Sequence, residues 1–326
     1  MNIIFWGTPE YSVETLKSLI ESTHQIKAVV TQPDKKRSRG NKLIPSPVKK
    51  LAISNNIPVY NPSKIKDNNR FLEIIKSLNS DLFIVIAYGK ILSKEILSIP
   101  KYGSWNAHAS LLPRWRGAAP IQWSLLEGDD YTGVGIMKME EGLDTGDILL
   151  EKEIKIKEND NLVSLSQKLS LTSSNLISEL LLIIKKDPDK IESKLVPQNS
   201  KCKETKYARM IKKEDYKLKL DDSAINIERK VKGLYPRAFI KYKNKNLKIL
   251  NIRLLKEDEI NEIYINGFEE ITHEAGQVLK IYKNEGIVIS TKTVPIVINQ
   301  IKLEGKNVAY KNQLIQQLDT KIGEII

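Results

Sequence analysis

The densest run of chemically capable residues is Asn106-Ala-His108-Ala-Ser110-Leu-Leu-Pro113-Arg114-Trp115-Arg116-Gly117, followed later by the turn Glu141-Gly-Leu-Asp144-Thr-Gly146. On a strand, Asn106 and His108 point to the same side, because side chains alternate with a period of two. An amide then stands beside an imidazole. In acyl transfer the carbonyl oxygen gains negative charge in the tetrahedral intermediate and needs a fixed donor, a role for Asn106. A histidine side chain is the usual group for proton exchange with attacking and leaving groups, a role open to His108. Asp144, carried in by its loop, can orient that ring and favour its charged form. A lone histidine on a strand is more often structural, and Asp-Thr-Gly is a common turn. Spacing alone therefore leaves the structural reading open.

Other chemistries find less support. His24 and His273 sit in polar stretches, the three histidines are scattered, and there is no H-E-x-x-H, so no metal site is expected. Cys202 is the only cysteine and has no local partner for a thiolate nucleophile or a disulfide. A reducing compartment, the cytoplasm, is the expected location. No G-x-x-x-x-G-K-[ST] marks a phosphate loop. The N-terminus has no signal-peptide pattern, and no run reaches the roughly 20 apolar residues of a membrane span.

The elements that must position these residues follow from periodicity. Residues 2–6 form an apolar run, followed by Gly7-Thr8-Pro9 and then Tyr11, Val13, Leu16, Leu19 and Ile20 at helical spacing. This predicts a strand, a tight turn and a helix, with Thr8 as N-cap and Pro9 where its missing N–H costs nothing. Strands are expected at 26–30, 57–60 and 81–87, with helices at 46–55 and 70–78. The continuous apolar run at 82–87 suits a parallel strand buried on both faces. The alternation points to an α/β Rossmann-like sheet, although no G-x-G-x-x-G follows the first strand to indicate a dinucleotide. A helix at 120–126, paired strands at 134–139 and 148–156, and a long helix at 162–184 complete a domain over 1–186. Residues 187–206, polar and without clear periodicity, read as a linker. In 207–326, a helix at 225–231 and five short alternating runs suggest a small β-barrel or sandwich.

With 326 residues, two domains are expected, and 41% hydrophobic residues suffice for their cores. The net charge of +12 is unevenly placed: residues 1–200 carry +4, 201–256 carry +12 and 257–326 carry −4. A second cluster lies at 33–50, where Lys35, Lys36, Arg37, Arg39, Lys42, Lys49 and Lys50 face only Asp34. Two clusters of this kind suggest a polyanionic partner.

The Asn106-x-His108 pair, the Ser110-to-Gly117 run and Asp144 closely resemble the folate-dependent formyltransferases. Phe5-x-Gly-Thr-Pro9, the basic loop with Arg39-Gly40 and Lys42 to Lys49, Ala87-Tyr-Gly89, Tyr207-Ala208 and Lys212-Lys213-Glu214 narrow the resemblance to the methionyl-tRNA formyltransferases. The resemblance implies a Rossmann-like catalytic domain followed by an OB-like barrel. It implies transfer of the formyl group of 10-formyltetrahydrofolate to the α-amino group of methionyl initiator tRNA by a metal-independent enzyme, expected to be monomeric. It assigns catalysis to Asn106, His108 and Asp144, and folate binding to Ser110, Leu111, Leu112 and Pro113. It places tRNA contacts at Lys35, Lys36, Arg37, Arg39 and Lys42. The loop departs from the family's common pattern, reading PDKKRSRGNK where members often have PDRPAGRGKK. Relatives that formylate an amino sugar nucleotide or hydrolyse formyltetrahydrofolate share the triad, and a tRNA-binding module without activity is a further alternative. Their small substrates give those relatives no use for the basic loop, and a module without activity has no use for the triad. Arg39 is the expected reader of the acceptor end. Arg39→Ala should reduce discrimination between initiator and elongator methionyl-tRNA, measured as the ratio of their kcat/KM values; an unchanged ratio removes Arg39 from that role.

Overall fold

The computed structural model describes residues 1–37, 42–201, 204–265 and 274–326. Arg39, Cys202 and His273 lie outside these residues, as do the side chains of Lys36, Arg37 and Lys42. The described chain forms two compact units: residues 1–121, 130–156 and 164–210, and residues 122–129, 157–163 and 211–326. Residues 187–206 thus belong to the first unit.

In chain order the first part contains β1 (Asn2–Gly7), α1 (Val13–Ile20), β2 (Gln25–Val30), β3 (Lys35–Arg37), β4 (Lys42–Ile44), α2 (Pro47–Ser54), β5 (Val59–Tyr60), α3 (Asn69–Ser77), β6 (Leu82–Ile86), α4 (Lys94–Leu97) and β7 (Ser104–His108). It continues with β8 (Arg116–Gly117), α5 (Pro120–Glu127), β9 (Tyr131–Lys138), β10 (Ile148–Lys155), α6 (Leu162–Lys186) and β11 (Tyr207–Ala208). The main sheet runs β10-β9-β7-β6-β1-β2-β5. Its β5, β2, β1, β6 and β7 are parallel, while β9 and β10 are antiparallel. The strand order reverses at β1, so the crevice for a ligand opens where β1 and β6 end.

Burial explains the continuous apolar strands. Every residue of β6 is buried, and Ile4, Trp6, Phe83 and Val85 pack against Phe71 and Ile75 of α3 and Ile96 and Leu97 of α4. Helix α6 runs beside the segment after β1, where Ser173 shares a 2.8 Å hydrogen bond with Tyr11 Oη and Ser170 Oγ donates to Tyr11 O at 2.7 Å. The segment expected as a loop at 33–50 contains the antiparallel β3–β4 hairpin. Its charged sequence carries no apolar alternation from which strands could be read. The hairpin is rooted by a Lys49–Asp34 ion pair at 2.7 Å and a Thr31–Ser46 hydroxyl contact at 2.8 Å.

The second unit contains α7 (Ala224–Gly233), β12 (Phe239–Tyr242), β13 (Lys245–Leu254), α8 (Glu257–Ile265), β14 (Val278–Tyr282), β15 (Gly286–Ile289), β16 (Ile296–Leu303), β17 (Val308–Tyr310) and α9 (Asn312–Leu318). Ser223 caps α7 by accepting from Asn226 N. The pairing path is β12-β13-β16-β15-β14, with β17 on β16, and β12 and β14 are its ends among the described residues. Ile240, Leu247, Ile249, Ile287, Ile289 and Ile298 form a core with α7 and α9, while Val288 and Val297 meet Ile263 of α8 on the opposite face. β17, α8 and α9 add to the five expected strands and one expected helix.

Arg253 ties this unit together, meeting Glu259 and Glu285 each at 2.7 Å. The hydrogen bonds from Arg253 hold the Glu259 carboxyl down at about 2, against an ordinary 4.5. A carboxyl depressed on folding stabilises above its unfolded pKa, and the contribution fades as pH falls through the folded value. Glu259→Gln should therefore cost about 1 kcal/mol near neutral pH, a figure discounted for partial exposure. The gap from wild type, measured by thermal melts, should shrink between pH 4.5 and about 2.

Candidate active site

The site grows from β7. Its residues 104–106 pair with β6 in parallel, while 105–108 pair with β9 in antiparallel register, His108 opposite Gly135 and Asn106 opposite Met137. Asn106 is half-buried and its side chain makes no hydrogen bond among the described residues. Its amide thus presents an unused donor and acceptor. His108 is buried, with 5% of its surface exposed. Its Nε2 lies 2.9 Å from Trp115 O, and its Nδ1 lies 3.7 Å from Asp144 Oδ2. A carbonyl only accepts, so Nε2 carries the proton and Nδ1 is the edge that faces the carboxylate.

The structure brings His108 and Asp144 together, and β7 carries Asn106 two residues before His108. Asp144 holds a φ of 53° and Trp115 one of 64°, while Ala87, just after β6, has 46°. Side-chain-bearing residues rarely adopt this left-handed region, and such backbone clusters at functional sites. Asp144 Oδ2 accepts from Gly117 N at 2.8 Å. Gly117 has a φ of 115°, and a Cβ there would sit 2.8 Å from Ala208 O, because the short strand β11 runs against β8. Only glycine permits that approach. The loop after β6 is held in turn by Thr8, whose hydroxyl donates to Tyr88 O at 3.0 Å, and by Gln32, whose amide donates to Tyr88 O and Gly89 O at 3.0 and 2.9 Å. Burial pushes the Tyr88 phenol well above its ordinary pKa, so it stays neutral.

Ser110, Leu111, Leu112 and Pro113 are all buried. Ser110 Oγ donates to Arg114 O at 2.6 Å, and Leu112 packs with Met137 and Ile148. Their side chains therefore face the protein interior, which leaves backbone as the surface they can offer a ligand. Lys35 is exposed. A cavity of about 670 Å³ reaches from Leu97, Pro100 and Tyr102 to Lys138, Met139 and Glu141. It ends in the loop that carries Asp144, but the three proposed catalytic side chains do not line it. Among the described residues no group of three or more His, Cys, Asp or Glu could hold a metal ion. No described helix is long and apolar enough to cross a membrane.

Sequence reasoning missed Gln198, which is 2% exposed. Its Nε2 donates to Asp144 O at 2.9 Å and Gly146 O at 2.8 Å, and its Oε1 accepts from Arg116 Nε and Nη2 at 3.0 and 2.8 Å. Its surroundings are polar and have no periodic pattern, so nothing in the sequence marks this glutamine as buried.

Comparison with known proteins matches this architecture. Residues 1–181 match the formyl transferase family, and residues 210–318 match its C-terminal domain. The chain belongs to the formyl transferase family. Within it, the chain is 57% identical over 325 residues to the methionyl-tRNA formyltransferase of Prochlorococcus marinus (strain MIT 9215), covering 99% of each chain. It is 44% identical over 333 residues to the methionyl-tRNA formyltransferase of Synechococcus sp. (strain WH7803), covering 99% of this chain and 98% of that one. The fold also resembles an N-formyltransferase of Helicobacter canadensis solved with folinic acid and dTDP-3-aminofucose: TM-score 0.58, 18% identity, 91% of this chain and 98% of that one. HypX of Aquifex aeolicus, solved with tetrahydrofolic acid, gives a TM-score of 0.60 at 15% identity over 98% of this chain and 48% of that chain.

The Asp144 loop leaves no room at Gly146, where a Cβ would clash with the backbone carbonyl oxygen of Lys138. Gly146→Ala should displace the loop and lower turnover about 10-fold or more, since small misplacements of catalytic groups are costly. Steady-state kinetics on the folded variant checks this.

Proposed function

We propose that this chain transfers the formyl group of 10-formyltetrahydrofolate to the α-amino group of methionyl initiator tRNA, with Asn106, His108 and Asp144 as the reacting machinery. The observation that carries the reading is the Asn106 amide with its unused donor, on the same strand face as an imidazole hydrogen-bonded at Nε2 and facing a carboxylate at Nδ1. A free α-amine has a reference pKa of about 7.7, and the neighbouring ester lowers it, so a useful fraction is neutral and no strong base is needed. The amine nitrogen bonds to the formyl carbon while the carbonyl oxygen becomes an oxyanion. Asn106 Nδ2–H and the charged imidazole stabilise that oxygen. Collapse breaks the bond from carbon to the folate N10, and the proton lost by the amine goes to N10 by way of His108. For this the reacting groups must compete with Trp115 O for the Nε2 proton. Asp144 keeps the ring placed throughout.

The folate donor is proposed to lie along the backbone of Ser110, Leu111, Leu112 and Pro113. Ile91 and Leu143, 76% and 53% exposed on the loops after β6 and before Asp144, offer apolar surface suited to a flat ring. For the tRNA, the proposed contacts are Lys35, Lys36, Arg37, Arg39 and Lys42, together with the basic segment of the second unit, where Lys213, Lys217, Lys219, Lys241 and Lys245 are exposed. Such contacts supply affinity without sequence information. Other charges there are used internally: Lys230 pairs with Asp222 and Lys232 with Glu228. The reading includes a monomer working without a metal in the cytoplasm, supported by the scattered histidines, the single cysteine and the size of the nucleic-acid substrate.

The deciding assay incubates the protein with 10-formyltetrahydrofolate and methionyl initiator tRNA, methionyl elongator tRNA, an amino sugar nucleotide or no acceptor. Formyl-methionine on the initiator tRNA supports the reading; formate release without acceptor, or formylation of the sugar alone, overturns it. His108→Ala and Asn106→Ala should each lower turnover about 100-fold or more, with tRNA affinity near that of wild type. A variant with near-normal single-turnover rates removes that residue from the chemistry.

A further inference from the structure

We propose that Gln198 is a positioning residue for formyl transfer, acting through Asp144; the inference rests on the functional reading above and extends it to a residue outside the triad. The 3.7 Å between Asp144 Oδ2 and His108 Nδ1 is longer than a direct hydrogen bond. The imidazole therefore does not hold the carboxylate in place, and the restraint must come from the other contacts of Asp144. Its carboxylate accepts from Gly117 N. Its backbone, at positive φ, has a carbonyl turned toward Gln198, as does Gly146 two residues on.

The two hydrogens of one amide nitrogen serve those two carbonyls, and the two lone pairs of the same side chain's oxygen serve the Arg116 guanidinium. Arg116 immediately precedes Gly117, so the contacts close a ring: the Asp144 carboxylate to Gly117, along the backbone to Arg116, across to Gln198, and back to the Asp144 carbonyl. Every polar hydrogen and lone pair of the glutamine head is used, so the amide has one orientation; flipping it would set NH2 against guanidinium and oxygen against carbonyls. Other side chains fail on chemical grounds. Asparagine is one methylene shorter, glutamate sets a carboxylate oxygen against two carbonyls, and lysine has no acceptor for Arg116. The segment holding Gln198 is itself strapped to the same unit: Val196 bridges Ile148, Lys201 pairs with Glu151, and Arg116 N donates to Lys206 O at 2.9 Å. A stretch that reads as a plain connector thus supplies the support for the carboxylate of the site.

The test uses the full-length chain and measures kcat and KM for both substrates in wild type, Gln198→Met, Asp144→Asn and the double variant. Methionine preserves length and bulk while removing all four hydrogen bonds. The expected result is a kcat lowered about 10-fold or more, KM values within about threefold, and less than about a twofold further loss when the same change is made in Asp144→Asn, because residues acting as one unit are not additive. An unchanged kcat, or an equal loss in both backgrounds, overturns the proposal. Should Gln198→Met fail to fold, Gln198→Glu, which keeps the acceptor for Arg116 and loses both donated bonds, is read in the same cycle with the same outcomes. A wild-type chain that does not formylate methionyl-tRNA overturns the functional reading along with the proposal; an active wild type with a silent Gln198 overturns the positioning role alone.

Discussion

A half-buried carboxylate facing a buried imidazole without touching it must be held by something else. Asp144 and His108 expose only 15% and 6% of their side chains, and a charge taken from water at that depth is costly unless hydrogen bonds replace the lost hydration. The backbone N–H of Gly117 provides one of these. That single bond fixes much of the surrounding architecture: Gly117 must be a glycine for β11 to approach, Arg116 must point away toward Gln198, and the β9–β10 loop must turn through a left-handed residue. The site is an arrangement of loops whose polar groups satisfy one another, resting on strands already joined through their backbones.

The sheet's contribution is direction. Because β7 lies between a parallel and an antiparallel neighbour, its last residues stand at the ligand-binding end of the parallel array, while the return strand β9 leads on to Asp144. Two stretches more than thirty residues apart in sequence are thereby forced to meet. The positive-φ residues Ala87, Trp115 and Asp144 occur where chain leaves regular structure to build this end. Strain at such points persists because the surroundings over-determine it, and the donors from Thr8, Gln32 and Gln198 supply that determination.

Much of this could be read from residue order, for physical reasons that also set its limit. The apolar runs of β1, β2 and β6 and the periodic stripe of α6 reflect burial, which acts on every residue of an element and so leaves a repeated signal. Asn106 and His108 were legible because period-two geometry puts them together without reference to the rest of the chain. Gln198 was not, since its partners lie 54 and 82 residues away and a single buried amide leaves no period. The β3–β4 hairpin was hidden by its charges. β17 and α9 were hidden by their brevity, and Lys311 between them takes a positive φ that its residue type does not announce.

The pairing of β11 with β8 bears on how such a catalytic unit can be reused. The two family matches stop at residue 181 and resume at 210, and the interval holds Gln198 and the Tyr207-Ala208 strand. Ordinarily a connector between units is free to lengthen, shorten or be replaced when parts are recombined into new architectures. Here that freedom is withheld from the part of the connector that touches the site. A formyl-transferring module transplanted onto another partner, by gene fusion or by design, must carry its own chain through Ala208, and the seam belongs after the strand rather than after the long helix.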